Sequence, residues 1–456
     1  MAIATHFQDE IDQVDPTKVL VFHSGEAGYE TLEWSYSGLD VYGGSDLACE
    51  LGAGRLLYEM GFRFYAPNEN FYYRPTSIPT NLTASKRTNW FEDVSIWLAY
   101  GHAWNGIYIQ SRRDLGDAYE KWQRLNGCKQ VTRPAGHRWD NVINNNAAWF
   151  AANPQVLSDS NSFALATLQD AVDQTDYNNL VMICAAELIS AGFNEWNRTN
   201  FDPSDGDGNP SDRVFPFTKD VVDQIRAGTS AIGTHSAYDA NPTAEIGLYA
   251  YAGHRLPPTA SVSPGVYTQV ALAFNSTPLT YEELVDGHAS KASAVLLRDY
   301  LDTQVWSDSL PFKSKIRTSS DLVVYYDAFK ASGVVGANSE FAANWLNNMA
   351  GTANLLHKWH YGTTNFTSIL SEMVDLIFDG DQAVYDLYTL LGDTRQAYSI
   401  TNLKRCFDIV NRMEEGWYKE YYKYWATILW EFESLPPQTP LLEQDASDPF
   451  PAALRI

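Results

Sequence analysis

Positive charge is what this chain has least of. Lys and Arg number 32 against 56 Asp and Glu, a net charge of −24 at neutral pH. Nucleic-acid binding needs a basic face to neutralise phosphates, and an anionic membrane surface needs the same, so the charge argues against both partners. Cysteine is also scarce: Cys49, Cys128, Cys184 and Cys406 lie far apart with no Cys-x-x-Cys spacing. That argues against a disulfide framework or a structural zinc site and leaves them as small buried apolar residues. No apolar run approaches the roughly 18–20 residues of a membrane span, so membrane insertion is not expected. The opening Met1-Ala-Ile-Ala-Thr-His-Phe-Gln-Asp-Glu lacks the basic and apolar regions of a signal peptide. The expectation is a protein that avoids that export route or has had its export segment removed. A Gly-x-Ser-x-Gly elbow, a phosphate loop and a dinucleotide fingerprint are all missing. Acyl, phosphoryl and hydride transfer therefore lack support, and no cofactor is expected. His357-x-x-His360 has a metal-compatible spacing without an acidic partner, so no metal is expected either.

Aromatic residues are abundant instead. They make up 14% of the chain beside only 19% charged residues, with 14 Trp and 27 Tyr. Rings with a polar handle suit surfaces that stack on sugars or pack against partner subunits. A large aromatic core accounts for them equally well. The length of 456 residues and 45% hydrophobic content fit a barrel with additions at both ends.

Residues 18–42 alternate and punctuate like strands, at Val19–His23, Thr31–Tyr36 and Leu39–Tyr42. Gly43-Gly44 turns the chain, and Ser45 or Asp46 can cap a helix over Leu47–Met60 that stops at Gly61. Phe62–Tyr65 then reads as a strand. The pattern predicts a small α+β domain over residues 1–90. From 91 to 350 short strands alternate with helices: strands at Val94–Leu98, Thr199–Asp202, Gly247–Tyr251, Gln269–Phe274 and Leu322–Tyr326, helices at Phe215–Ile225, Ser290–Tyr300 and Asp327–Ser332. Repeated βα units of this kind predict an α/β fold, a TIM-like (β/α)8 barrel, with a doubly wound sheet as the alternative. Residues 351–435 carry helical periodicity at Thr352–Trp359, Ser368–Leu391 and Thr401–Glu433. Residues 436–456 form a proline-rich acidic tail, a flexible end or an arm that orders against a neighbour.

Two strand ends carry carboxylates at glycine-rich turns: Asn200-Phe-Asp-Pro-Ser-Asp205-Gly-Asp207-Gly208 and Gly336-Ala-Asn-Ser-Glu340. In a parallel α/β barrel the catalytic groups sit at the C-terminal ends of strands. Hydrolysis of a glycosidic bond needs one acid to protonate the leaving oxygen and one carboxylate to activate water or attack carbon. Glu340 is the candidate acid, because the apolar run before it can desolvate it and raise its pKa. Asp205 is its candidate partner, with Asp207 behind it. The competing readings are an Asx-turn or helix cap for Asp205 and a salt bridge to a barrel arginine for Glu340. His254 and Arg255 follow the Tyr249-Ala-Tyr251 strand and suit sugar hydroxyls or a sugar carboxylate; fixing the Pro257-Pro258 loop is the alternative. His102 with Trp104, and His137 with Trp139, offer ring platforms and hydrogen bonds, or core packing.

Several segments in order resemble the bacterial glycosidase-like family known as domain of unknown function 4838, itself similar to α-glucuronidases and β-hexosaminidases. The resemblance begins at Gly43-Gly-Ser-Asp-Leu-Ala-Cys-Glu-Leu-Gly-Ala-Gly-Arg-Leu-Leu-Tyr-Glu-Met-Gly-Phe-Arg-Phe-Tyr-Ala-Pro67. It continues through Gly136-His137, Ala152-Asn-Pro154, Asp202-Pro-Ser-Asp-Gly206 and Leu248-Tyr-Ala-Tyr-Ala-Gly-His-Arg-Leu-Pro-Pro258. It ends at Gly333-Val-Val-Gly-Ala-Asn-Ser-Glu340 and Asn344-Trp345, covering roughly residues 30 to 380. The resemblance implies a small α/β domain before a barrel and glycan chemistry at its mouth, with Trp345 among the substrate-binding residues. Two departures stand out. Asp207-Gly-Asn-Pro210 replaces the cysteine cluster of many relatives, and the N-terminal domain is shorter.

The expected function is a glycoside hydrolase acting on a glycan by two carboxylates. The rival is a non-catalytic carbohydrate-binding or structural protein, such as a viral tail or capsid-decorating subunit that touches host glycans. Either suits a homo-oligomer or larger assembly, and an extracellular or virion-associated place is favoured over the cytoplasm.

Overall fold

A computed structural model describes residues 3–98, 103–104, 107–108, 117–128, 132–133, 139–157, 163–165, 173–190, 198–200, 211–228, 240–271, 279–298, 326–341, 349–392 and 400–434. The chain divides into two compact units. Unit one takes residues 1–129, 300–327 and 339–456; unit two takes 130–299 and 328–338.

Unit one opens with helix α1 (Ile3–Asp12), whose Phe7 and Ile11 are fully buried. Strands β1 (Val21–Ser24), β2 (Trp34–Ser37), β3 (Asp40–Gly43) and β6 (Thr83–Arg87) form a sheet of order β1-β3-β2-β6. The β1–β3 pair is parallel, whereas β2 runs antiparallel to both of its neighbours. Helix α2 (Asp46–Glu59) packs on this sheet. Ser45 caps it by accepting from the Ala48 N–H at 3.2 Å, satisfying one of the donors a helix start leaves open. Gly52 permits the close approach, since a Cβ there would lie 2.8 Å from Val41 Cγ1. A two-stranded ribbon of β4 (Arg63–Phe64) and β5 (Tyr72–Tyr73) follows, then β7 (Asp93–Leu98) and the short pair β8 (Ala103–Trp104) and β9 (Ile107–Tyr108). Helix α3 (Asp117–Leu125) brings Lys121 Nζ to 2.5 Å from the buried Glu10 carboxylate, which Arg74 Nε also meets at 2.7 Å. Two cations on one desolvated carboxylate are what its burial requires.

Unit two carries parallel strands in the order β10 (Thr132–Arg133), β11 (Arg198–Asn200), β12 (Glu245–Ala250), β13 (Val266–Ala271), β14 (Val295–Arg298) and the part of β15 (Val334–Phe341) up to residue 338. Parallel neighbours need crossovers, and helices lie in them except between β12 and β13, where residues 251–265 carry only a 3-10 turn at Ala252–His254. Here they are α4 (Trp139–Asn145), α5 (Ala147–Ala152), α6 (Gln174–Ser190), α7 (Ser211–Ala227) and α8 (Tyr281–Ala289). Helix α7 packs against β12 and β13, and its buried residues include Val214, Phe217, Val221, Val222 and Ile225. Helix α8 starts with a capping box between Thr280 and Glu283. The mixed α/β class matches the sequence reading, while strand pairings that would close the sheet into a barrel are not among those described. One expected element differs in type: Ser290–Tyr300 reads as a helix but contributes strand β14. Its Val295-Leu-Leu-Arg298 run is buried at every position, and a short continuous apolar run suits a two-sided buried strand as well as a helix.

The C-terminal part of unit one is helical: α9 (Met349–Tyr361), α10 (Phe366–Ile377), α11 (Gln382–Gly392), α12 (Ile400–Arg412) and α13 (Trp417–Ser434). Two long helices expected from periodicity are each broken. Asp379 at φ 51° and Gly380 at φ 79° divide α10 from α11, and the turn before Trp417 divides α12 from α13. Asp381 fastens both breaks, accepting from the Ala383 N–H, the Glu414 N–H and Tyr418 Oη. Buried Tyr388 and Tyr422 join their hydroxyls at 2.9 Å. All four cysteines are buried and unpaired.

Candidate functional site

Side chains alternate between the two faces of a strand, so register decides which residues can meet. One set in unit two is Ile246, Leu248 and Ala250 on β12, Val266, Thr268 and Val270 on β13, and Val295 and Leu297 on β14. Apart from Thr268 it is apolar. The alternate set holds Tyr249, Gln269 and Arg298. Tyr249 pairs in register with Gln269, and Ala271 pairs with Arg298.

The small Ala271 lets Arg298 reach across β13. Its guanidinium carbon lies 5.5 Å from the centre of the Tyr249 ring, within the range where a ring face attracts a cation. Gln269 has no exposed surface and Arg298 is only 5% exposed. Tyr249 meets Tyr251 edge to face at 6.2 Å, and Tyr251 meets His254 in the same way at 5.2 Å. His254 ends a single 3-10 turn, Ala252–His254, and is fully buried. Behind it, His288 on α8 donates from Nε2 to the Arg255 carbonyl at 3.0 Å. Burial holds that imidazole neutral and pushes its pKa down to about 4. A polar and aromatic cluster therefore gathers where β12, β13 and β14 reach their carboxyl ends. It sets the Gln269 amide and the Arg298 guanidinium beside the rings of Tyr249 and Tyr251.

The expected site residues fall in three groups. Tyr251, His254 and Arg255 are described and adjoin this cluster. Trp104 lies in β8, Trp139 opens α4 and Glu340 is the next-to-last residue of β15, each placed by its backbone alone. Asp205, Asp207, His102, His137 and Trp345 lie outside the described residues, although Asp205 and Asp207 follow β11 in sequence. Gln269 and Arg298 escaped the sequence reading. Their signal is a polar residue inside a strand that is otherwise apolar.

His357 and His360 each hold a backbone carbonyl, of Thr363 at 3.0 Å and of Asn126 at 2.8 Å. Among the described residues no group of three metal-ligating side chains occurs, and no helix is long and apolar enough to cross a membrane. No protein-family model matches this chain, and no curated protein matches its sequence.

Proposed function

We propose that this protein is a glycoside hydrolase, distantly related to the glycosidase-like family its motifs resemble, and that it takes its glycan at the carboxyl ends of the parallel strands. In this reading the sheet belongs to a (β/α)8 barrel. Glu340 protonates the leaving oxygen, and Asp205 or Asp207 activates water or attacks the anomeric carbon. The observation that carries the proposal is the Tyr249–Gln269–Arg298 arrangement. The cluster lies at the carboxyl ends of the strands, the edge at which βα loops conventionally build active sites. A sugar offers hydroxyls to the amide and guanidinium, and an apolar C–H face to Tyr249 and Tyr251. His254 acts as a positioning residue, its buried ring fixing the orientation of Tyr251.

The test is release of reducing ends from a broad panel of neutral and acidic oligosaccharides, with binding to the same panel measured calorimetrically. Cleavage of any member supports the proposal. Binding without cleavage transfers the site to a carbohydrate-binding protein, the rival class. Neither binding nor cleavage removes glycans altogether.

A further inference from the structure

Unit one holds an arginine that its own fold leaves incompletely satisfied. Arg55 lies on the buried side of α2, with 4% of its surface exposed. Its Nη2 has no hydrogen-bond partner, and among the described residues no carboxylate lies within ion-pair distance of it. The guanidinium carbon sits 3.6 Å from the centre of the Tyr361 ring and 5.8 Å from that of Tyr58. Those rings offset part of the desolvation cost but supply no hydrogen-bond acceptor. Burial pushes its pKa down to about 10, so the group stays charged at neutral pH. A buried charge of this kind costs several kcal/mol unless something neutralises it.

The group borders a cavity of about 50 Å³. A water needs roughly 10–15 Å³ on this measure, so there is room for about three to five water-sized groups. Two further polar atoms on the lining also lack partners: Tyr361 Oη and His360 Nδ1. The His360 Nε2–H is committed to the Asn126 carbonyl, which leaves Nδ1 a bare acceptor. By contrast, Arg63 on the same lining is fully engaged, with Glu372 and with the Tyr58 and Phe62 carbonyls. Tyr58, Arg63, Tyr361 and Glu372 are partly exposed, so the cavity reaches solvent at their rim.

Charge on the lining names the ligand class. Arg63 is offset by Glu372, and burial keeps both His357 and His360 below their usual pKa, hence neutral. One positive charge, that of Arg55, is left over. A dianion would overcompensate it and meet Glu372. We propose that this cavity binds a small monocarboxylate of acetate or formate size, its oxygens on Arg55 Nη2 and Tyr361 Oη. The planar carboxylate matches a guanidinium edge. This site is independent of the glycan reading and of unit two.

Thermal unfolding of the full chain in sodium acetate, against sodium chloride and sodium sulfate at equal ionic strength, tests it. Acetate at large excess over its Kd should raise the midpoint by a few degrees, as expected when a ligand binds only the native state. Chloride should not, and any shift from sulfate, which stabilises by exclusion from the surface, should be the same in wild type and R55M. R55M, which keeps the length of the side chain and loses the charge, should abolish the acetate shift. An acetate shift as large in R55M as in wild type overturns the proposal. If R55M does not fold, wild type alone decides, through the carboxyl resonance of carbon-13 acetate. Broadening that formate reverses and chloride does not supports the site; no broadening overturns it.

Discussion

Arg63 and Glu372, 309 positions apart in sequence, meet in a two-bonded ion pair, Nε to Oε2 at 2.8 Å and Nη2 to Oε1 at 2.7 Å. The remaining Arg63 nitrogen donates to the Tyr58 and Phe62 carbonyls at 2.7 and 2.8 Å. The guanidinium also lies 3.9 Å from the Tyr58 ring centre. The pair fastens the β4 ribbon to α10, so the first hundred residues of unit one fold against its last hundred. Fork-to-fork geometry makes such a pair worth more than a single-point surface contact.

Replacing Glu372 by Gln keeps the shape and removes the charge. Because Glu372 is 35% exposed on its side chain, solvent screens part of the interaction, and a loss of about 1–2 kcal/mol is expected. R63M should cost a similar amount, and the double variant should cost less than the two together. Urea unfolding midpoints for the four proteins measure the coupling. Strictly additive losses would show that the two side chains act independently.

The buried His288 makes unit two sensitive to acid in a defined window. Burial is the dominant cause of its lowered pKa, opposed by the hydrogen bond to the Arg255 carbonyl. In the unfolded chain the imidazole takes a proton near pH 6.5; in the folded protein it does so only near pH 4. Between those values the unfolded state binds more protons, so stability falls as pH drops through the window and levels off on either side. The contribution is about 3 kcal/mol across it. H288Q retains a side-chain donor for the carbonyl and cannot titrate. Its stability should fall less than wild type between pH 6.5 and 4, by about that amount. Parallel curves would remove His288 from the acid response.

Much of this architecture is legible before any coordinates. The Ser45 cap, the extent of α2 and the strand edges before it follow from turn residues and helical spacing, since local chemistry decides them. Strand β14 is misread because Val295, Leu296 and Leu297 are buried together and show no alternation. The breaks at Asp379-Gly380 and before Trp417 are hidden for a different reason. Apolar periodicity continues through them, and the Asp381 bonds that fix the turns join residues far apart in sequence. The polar cluster shows the same limit. Tyr251 and His254 stand out at a strand end, whereas Gln269 and Arg298 gain meaning only once register sets them beside Tyr249. Arg55 does leave a trace: it falls four residues after Leu51 on the stripe that α2 buries.

Gly44 tests how tightly the first turn is built. A Cβ there would lie 1.9 Å from the Glu30 carbonyl oxygen, a backbone atom that cannot swing aside. The Gly44 N–H also donates to the Glu33 carbonyl at 3.0 Å. Gly44→Ala should therefore destabilise the protein by about 2–3 kcal/mol. Ser45→Ala, which only removes the cap of α2, should cost about 1 kcal/mol. Thermal or urea unfolding separates the two, and an equal cost would mean the loop relaxes freely.

The chemistry proposed for the strand ends makes the sharpest demand. E340Q preserves shape but cannot deliver a proton at neutral pH, so turnover should fall by about 10²–10⁴-fold with glycan binding retained. D205N should act in the same direction, and the double variant should lose less than the product of the singles if the carboxylates work as a unit. Arg298→Met has a different signature. Arg298 lies over Tyr249 and is proposed to hold the substrate, so weaker substrate binding should dominate its loss, with a rise in KM exceeding any fall in kcat. Unfolding must be measured beside each rate, because a lost structural ion pair would lower activity through stability. Unchanged turnover in E340Q, on a glycan that the wild type cleaves, would remove Glu340 from the mechanism. A fall in kcat alone for R298M would move Arg298 from binding the substrate to stabilising the transition state.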